Sequence, residues 1–401
     1  MRTVPFSPRC AHSAALAGVL GLTLAMLGSM PGVAAADGES HAAGYVYVLD
    51  NGASNAITTY ARGADGSLTP VGTTETGGAG SVPAFADGTE GSLIRARDGS
   101  PWLFAADAGS DQVSVLAAQD GQLTLKGVFA AGGAGPVSLT YGHGRLYVLN
   151  AANGGEPSAN VAGFRVGADG QLRPIAGATR PLSTAHPNPA QIQIDPSGRW
   201  VVVTEKLTNR LDVFRVGADG GLSAATSVPS TGLYPFGMAF DPARPRELIV
   251  DDGFGTGVGI TGAVTAYRFA DGGLRVVSGP VPDFQIAPCW MVVTGNGRYA
   301  YTSNADSQTI SGFAIAEDGT LSLLTDGGAT ATTPVDTFPL EEGLSRGSRY
   351  LYMLDSRLLL KPLPGPATLS GFRVGEEGGL TPVIDPAGFT LPFSAIGLAA
   401  E

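Results

Sequence analysis

One tetrapeptide recurs along this chain and constrains its fold more than any other feature. It reads Asp65-Gly66-Ser67-Leu68, Asp120-Gly121-Gln122-Leu123, Asp169-Gly170-Gln171-Leu172, Asp219-Gly220-Gly221-Leu222, Asp271-Gly272-Gly273-Leu274 and Asp318-Gly319-Thr320-Leu321. A seventh copy is Glu377-Gly378-Gly379-Leu380. From Asp65 to Glu377 is 312 residues, six intervals averaging 52. Each copy stands between short apolar runs, the strongest local signal for a β-hairpin, and its glycine supplies the positive φ of the turn.

The fourth copy shows what surrounds the turn. Gln191-Ile192-Gln193-Ile194 reads as a first strand, Trp200-Val201-Val202-Val203-Thr204 as a second and Leu211-Asp212-Val213-Phe214-Arg215-Val216 as a third. Asp195-Pro196-Ser197-Gly198 turns between the first two, and a fourth strand starts at Leu222. Four antiparallel strands per unit make a propeller blade, and blades bury their faces only by stacking in a ring. The predicted fold is therefore all-β, a seven-bladed β-propeller.

The ends of the chain say how the ring closes. Gly44-Tyr45-Val46-Tyr47-Val48-Leu49 is of the second-strand type with no first strand before it. Phe393-Ser394-Ala395-Ile396-Gly397-Leu398-Ala399 is of the first-strand type with nothing after it. The C-terminal strand is expected to complete blade one, leaving no open sheet edge.

Ahead of the repeats lie Arg2 and Arg9, then Ala14 to Met30, 17 residues without a charge. Pro31-Gly32 breaks the run, and Ala34-Ala35-Ala36 offers the small residues that a signal peptidase reads. This predicts a secretory signal over 1–36; an uncleaved anchor would have an apolar run at the short edge of what spans a bilayer. A flexible stretch over 37–43 then precedes one propeller domain over 44–401, placed in the periplasm or outside the cell. Cleavage leaves 365 residues, a charge of −13 and one thiol, Cys289, so no internal disulfide can form. Such acidity argues against nucleic acid and anionic membrane as partners. The expected partner is a small-molecule ligand or an envelope protein, with the propeller itself a monomer.

With these motifs in hand, the chain resembles the lactonase-like seven-bladed β-propellers, a family that includes 6-phosphogluconolactonases and carboxymuconate-lactonizing enzymes. The likeness covers residues 44–400. It is carried by the seven turns, by Asp195-Pro196-Ser197-Gly198-Arg199 and by Gly297-Arg298-Tyr299-Ala300-Tyr301-Thr302-Ser303-Asn304. The resemblance implies catalytic His, Arg and Glu side chains on loops around the centre of the ring. Where the family carries His, this chain has Asn188 and Ala190; the family's Pro-Arg-His reads Pro235-Phe236-Gly237, and its Asn-Glu reads Asp251-Asp252. A later Arg is replaced by Ala305, while Arg210 stands where a loop Arg is common.

Seven polar residues end the second strands: Asp50, Asp107, Asn150, Glu205, Asp252, Asn304 and Asp355. Short polar side chains at such places satisfy loop backbone, and that reading is preferred over an acidic collar that binds a ligand. The candidate catalytic residues are Glu205, Asp252 or His186 to activate water, with Arg210 to steady a carboxylate or an oxyanion. Tyr234, Phe236, Cys289 and Trp290 are candidate walls of a central pocket, balanced against a role in packing between blades. His41 and His143 are read as peripheral. Scattered histidines give no zinc spacing, and neither a metal nor a cofactor is expected.

Two motif matches lack their context. Gly343-Leu344-Ser345-Arg346-Gly347 fits a nucleophile elbow but sits in a hairpin, and Gly257-Val258-Gly259-Ile260-Thr261-Gly262 fits a dinucleotide loop with no helix after it. Two functions stay open. One is a lactone hydrolase or cycloisomerase-like enzyme acting at the central mouth; the other is a non-catalytic binding propeller.

Overall fold

The computed structural model describes residues 42–81, 90–152, 158–254, 261–270, 273–357, 363 and 365–401. The predicted signal peptide, His41, Asp271-Gly272 and Gly257 to Ile260 lie outside the described residues. Seven antiparallel sheets follow one another, as the repeat predicts. From the axis outward, blade two consists of Leu93–Arg95, Trp102–Asp107, Gln112–Gln119 and Gln122–Ala130. Blade four consists of Pro189–Ile194, Trp200–Glu205, Arg210–Arg215 and Thr226–Pro229. In blades three and six the outer strand is interrupted, so two short segments pair with the third strand. Among the described residues no helix is long and apolar enough to cross a membrane.

The recurrent turns join third to fourth strands. Gly66, Gly121, Gly170, Gly220, Gly319 and Gly378 all take positive φ, between 75° and 92°. An L residue rarely adopts that conformation.

The ring closes at the C-terminus. Val46, Tyr47 and Val48 pair with Ala400, Ala399 and Leu398. The pairing extends at both ends, from Ile396 N to Leu49 O at 3.0 Å and from Glu401 N to Tyr45 O at 2.9 Å. The added strand is Leu398–Ala400, with flanking bonds at Ile396 and Glu401, and it starts later than the expected Phe393 to Ala399. Phe393 stays 46% exposed because the chain is still turning there, with Ala395 N bonded to Pro392 O at 3.0 Å.

Seven of the eight buried apolar clusters bridge adjacent blades, and the eighth lies where several innermost strands meet. Alternation within each strand sends one set of side chains to each neighbouring blade. Five innermost strands carry a proline opposite a polar residue at or near the end of their second strand. The pairs are Pro136 with Asn150, Pro189 with Glu205, Pro235 with Asp252, Pro288 with Asn304 and Pro339 with Asp355. A bulge follows each proline. Proline lacks the ladder N–H, so it suits a sheet edge at a bulge. This regular proline is visible in the sequence, but the reading based on Asp-Gly passed it over.

Innermost edges that face the axis receive polar side chains from other blades. Ile192 N donates to Ser138 Oγ at 3.1 Å, Met238 N to Gln191 Oε1 at 2.5 Å and Met291 N to Glu90 Oε1 at 3.3 Å. Gly91 N donates to Glu341 Oε1 at 3.0 Å. Exposed backbone donors inside a ring need such acceptors, which is why polar residues reach the core.

Candidate functional site

The polar residues that end the second strands obey a common rule. Each stands opposite the first residue of its third strand, and the residue two further on lies on the same face. In blade two that residue is Ser114, whose hydroxyl donates to Asp107 at 2.6 Å. Thr58 donates to Asp50 at 3.4 Å in blade one, and Ser370 donates to Asp355 in blade seven. Thr265 is the residue at this place beside Asp252 in blade five, and Asn304 donates to Ser311 at 2.8 Å in blade six. Blade three uses Asn160, which accepts from Asn150 at 3.1 Å. All but Asp50 are buried, and the partners named are side chains of the third strands rather than the loop backbone donors expected of this collar.

Blade four breaks the rule. The residue that ends its second strand is Glu205, paired with Arg210, and two residues on stands a second acid, Asp212, opposite Val203. Glu205 accepts from Ser183 N at 3.0 Å, from Thr208 Oγ1 at 2.6 Å and from Ser183 Oγ. Asp212 accepts from Ser227 Oγ, while its Oδ2 has no donor. Burial pushes the Asp212 carboxyl up to about 7; the Ser227 hydroxyl opposes the shift, and the charge of Glu205 adds to it.

These two acids lie behind an open cleft of about 700 Å³ between blades three and four. Arg180, Ser183, Thr184, Thr208, Arg210 and Ser227 line it. The Arg180 Nε donates to Leu222 O at 2.7 Å, which holds that guanidinium at the wall. The Arg210 guanidinium has no hydrogen bond or ion pair among the described residues and sits partly exposed. Ser183, Thr208 and Ser227 spend their hydrogens on carboxylates, so their oxygen lone pairs are left for a ligand's own hydroxyls. Cations and acceptors together suit a small oxygen-rich ligand with negative charge.

The four catalytic candidates do not form one constellation. Arg210 lines this cleft and Glu205 lies buried behind it, toward the outer part of the ring rather than at the central mouth. His186 is exposed on the loop over Glu205, where Lys206 N bonds Asn188 O at 3.2 Å and Leu207 N bonds Pro187 O at 3.1 Å. Asp252 belongs to blade five, fully buried, and accepts from Ser230 Oγ at 2.7 Å. Burial pushes its carboxyl up to about 7.

The four pocket candidates do meet. Phe236 and Trp290 rings lie 5.2 Å apart, and Tyr234 and Phe236 rings 6.5 Å apart. The ammonium of buried Lys206 stands 4.6 Å from the Phe236 ring centre. Phe236, Cys289 and Trp290 are buried in one cluster with Ala190, Ala305, Leu340 and Ile396. They form packed core and not the walls of an open pocket, because the apolar residues at 190, 236 and 305 fill the space between blades. Sequence reading missed Asp212, Ser183, Ser227 and Arg180. Aligning the blades position by position would have found Asp212, since other blades carry Ser or Thr there.

Comparisons with known proteins agree with the geometry. The family described as "Lactonase, 7-bladed beta-propeller" matches residues 54–249. A 6-phosphogluconolactonase of Serratia proteamaculans is 24% identical over 306 residues, covering 73% of this chain and 85% of that protein. Another from Pectobacterium carotovorum is 26% identical over 231 residues, covering 54% and 64%. The solved structure of the Pseudomonas aeruginosa periplasmic gluconolactonase PpgL superposes with a TM-score of 0.66 at 20% identity, covering 88% of this chain and 98% of that one.

Proposed function

Because the chain is a lactonase-like seven-bladed β-propeller, we propose that it opens a small lactone by hydrolysis in the cleft between blades three and four. One observation carries the reading. The unpaired guanidinium of Arg210 shares an open cleft with hydroxyls that are hydrogen-bonded to Glu205. A guanidinium can steady the oxyanion that forms when water attacks the lactone carbonyl, and a carboxylate can draw the proton from that water through a hydroxyl. The central mouth is a poorer place for this chemistry, since its candidate residues pack against one another. Export through the N-terminal segment belongs to the same proposal and is supported by the name of the Pseudomonas protein as periplasmic.

The test is a panel of five- and six-membered sugar and muconate lactones, followed by acid release at constant pH. Ring opening above the buffer rate on at least one class is expected, with Arg210→Met slowed. No rate on any lactone would overturn the reading. One observation favours a second reading, binding without turnover: neither Glu205 nor Asp252 exposes surface. Calorimetry would separate the two, since a pure binding protein would hold lactone and ring-opened acid without converting one to the other.

A further inference from the structure

We infer that Glu205 and Asp212 hold one proton between them and serve the cleft as a proton relay, with Asp212 as a positioning residue that acts through Glu205 and Ser227. Use of the relay in catalysis rests on the proposed hydrolysis; the shared proton does not.

The ring supplies its own controls. In blades one, two, five, six and seven the residue facing the polar terminus of the second strand is Thr58, Ser114, Thr265, Ser311 or Ser370. A hydroxyl there adds no charge, although one oxygen each of Asp252 and Asp355 still has no donor. Among the described residues blade four alone places a second carboxyl in that position, and it borders the cleft of about 700 Å³. Arg210 is likewise the only cation among the seven residues that begin the third strands.

The register places the two acids on one face of adjacent strands, Glu205 opposite Arg210 and Asp212 opposite Val203. Asp212 Oδ1 accepts from Ser227 Oγ, and Oδ2 is buried with no donor. Glu205 is the acid whose charge and side chain bear on it. Two acceptor oxygens facing each other in a buried site are unfavourable until a proton sits between them. The charged groups around the pair are Arg210, on the same strand as Asp212, and Arg180 across the cleft. Lys206, next to Glu205 in sequence, is a third charged neighbour, with its ammonium 4.6 Å from the Phe236 ring centre and 5.8 Å from that of Tyr234.

The chemistry balances. Water attacks the lactone carbonyl, and its proton passes through a cleft hydroxyl to the ionised member of the pair. The proton already held goes by another hydroxyl to the ring oxygen as the carbon–oxygen bond breaks. One water is consumed, a hydroxy acid leaves, and the pair again holds one proton.

The test uses Asp212→Ser, which installs the residue that blades two, six and seven already carry, and Asp212→Asn, which keeps the shape. Infrared difference spectra between pH 5 and 9 should show a protonated carboxyl that titrates near neutrality in the parent and is missing from both variants. On a lactone the parent should lose activity as pH rises past about 7, and the variants should lack that limb with kcat on the order of a hundredfold lower and KM little changed. Identical carboxyl bands in parent and Asp212→Ser, or identical pH–rate profiles, would overturn the inference. Absence of lactone hydrolysis in the parent, with the band lost in the variants, would uphold the shared proton and sink the hydrolytic reading instead.

Discussion

The hydroxyl of Tyr352 in blade seven donates to the carbonyl of Gly66 in blade one at 2.9 Å. The same bond crosses other seams, from Tyr301 to Gly378 at 2.7 Å and from Tyr147 to Gly220 at 2.9 Å. The recurrent turn is thus more than a way to reverse the chain. Its left-handed glycine presents a carbonyl to the neighbouring blade, and at the closing seam the two ends of the sequence are locked as firmly as blades adjacent in the chain. Tyr352→Phe leaves the Gly66 carbonyl without this donor in a buried place, at a cost of about 1–3 kcal/mol. Urea unfolding should show the lower midpoint; no change would mean that water replaces the hydroxyl.

Removal of residues 396–401 should destabilise the whole ring and not merely fray one end. Ile396 and Leu398 are buried, and their loss alone is worth ~1.5–3 kcal/mol each. The strand formed by Gly44–Leu49 would become an open edge at the axis. A melting temperature equal to that of the full chain would show that closure contributes nothing.

Four carboxyls, Glu90, Asp251, Glu341 and Glu342, are buried near the axis. None forms an ion pair among the described residues. Burial raises all four, Glu341 to about 8 and the others well above the usual range. The folded form therefore binds more protons than the unfolded chain, and stability should fall as pH rises from the ordinary carboxyl range through about 8. Both oxygens of Glu342 lack donors. Glu342→Gln should raise the melting temperature at pH 8 and leave it nearly unchanged at pH 5. Equal shifts at both pH values would show that this carboxyl is not the source of the slope.

Arg210→Met should leave folding intact, since no bond among the described residues depends on the guanidinium. A lost charge-assisted contact is worth about 1.5–3 kcal/mol, so kcat/KM for a lactone should drop on the order of tenfold to a hundredfold. Matching melting curves with an unchanged kcat/KM would remove Arg210 from the site.

Much of the architecture was legible before any coordinates. Asp-Gly turns at even spacing have one good explanation, because a chain that reverses every dozen residues around a glycine builds blades. The unmatched strands at the two ends then dictate closure. Alternation is local: the side chains of Trp200 to Glu205 point to alternate faces whatever lies beyond them. Turn chemistry and strand period act within a few residues, and so they can be read from neighbours in sequence.

The candidate site was legible only in part. Glu205 was named from its place at the end of a strand and Arg210 from the family resemblance; Arg210 lines the cleft and Glu205 lies buried behind it. Asp252 was named on the same ground as Glu205, yet it lies buried under the Ser230 hydroxyl in another blade. The pocket aromatics were named as possible walls and prove to be packing, since whether a ring lines a cavity or fills it depends on what the opposite blades bring. The order of residues by itself determined the number of blades, the turns and the closing strand. The tertiary structure decided where space is left between blades, and which acid faces another acid across it. Burial and electrostatics are properties of groups brought together by packing, and only the stacking of adjacent blades brings Ser183, on the loop between blades three and four, onto Glu205.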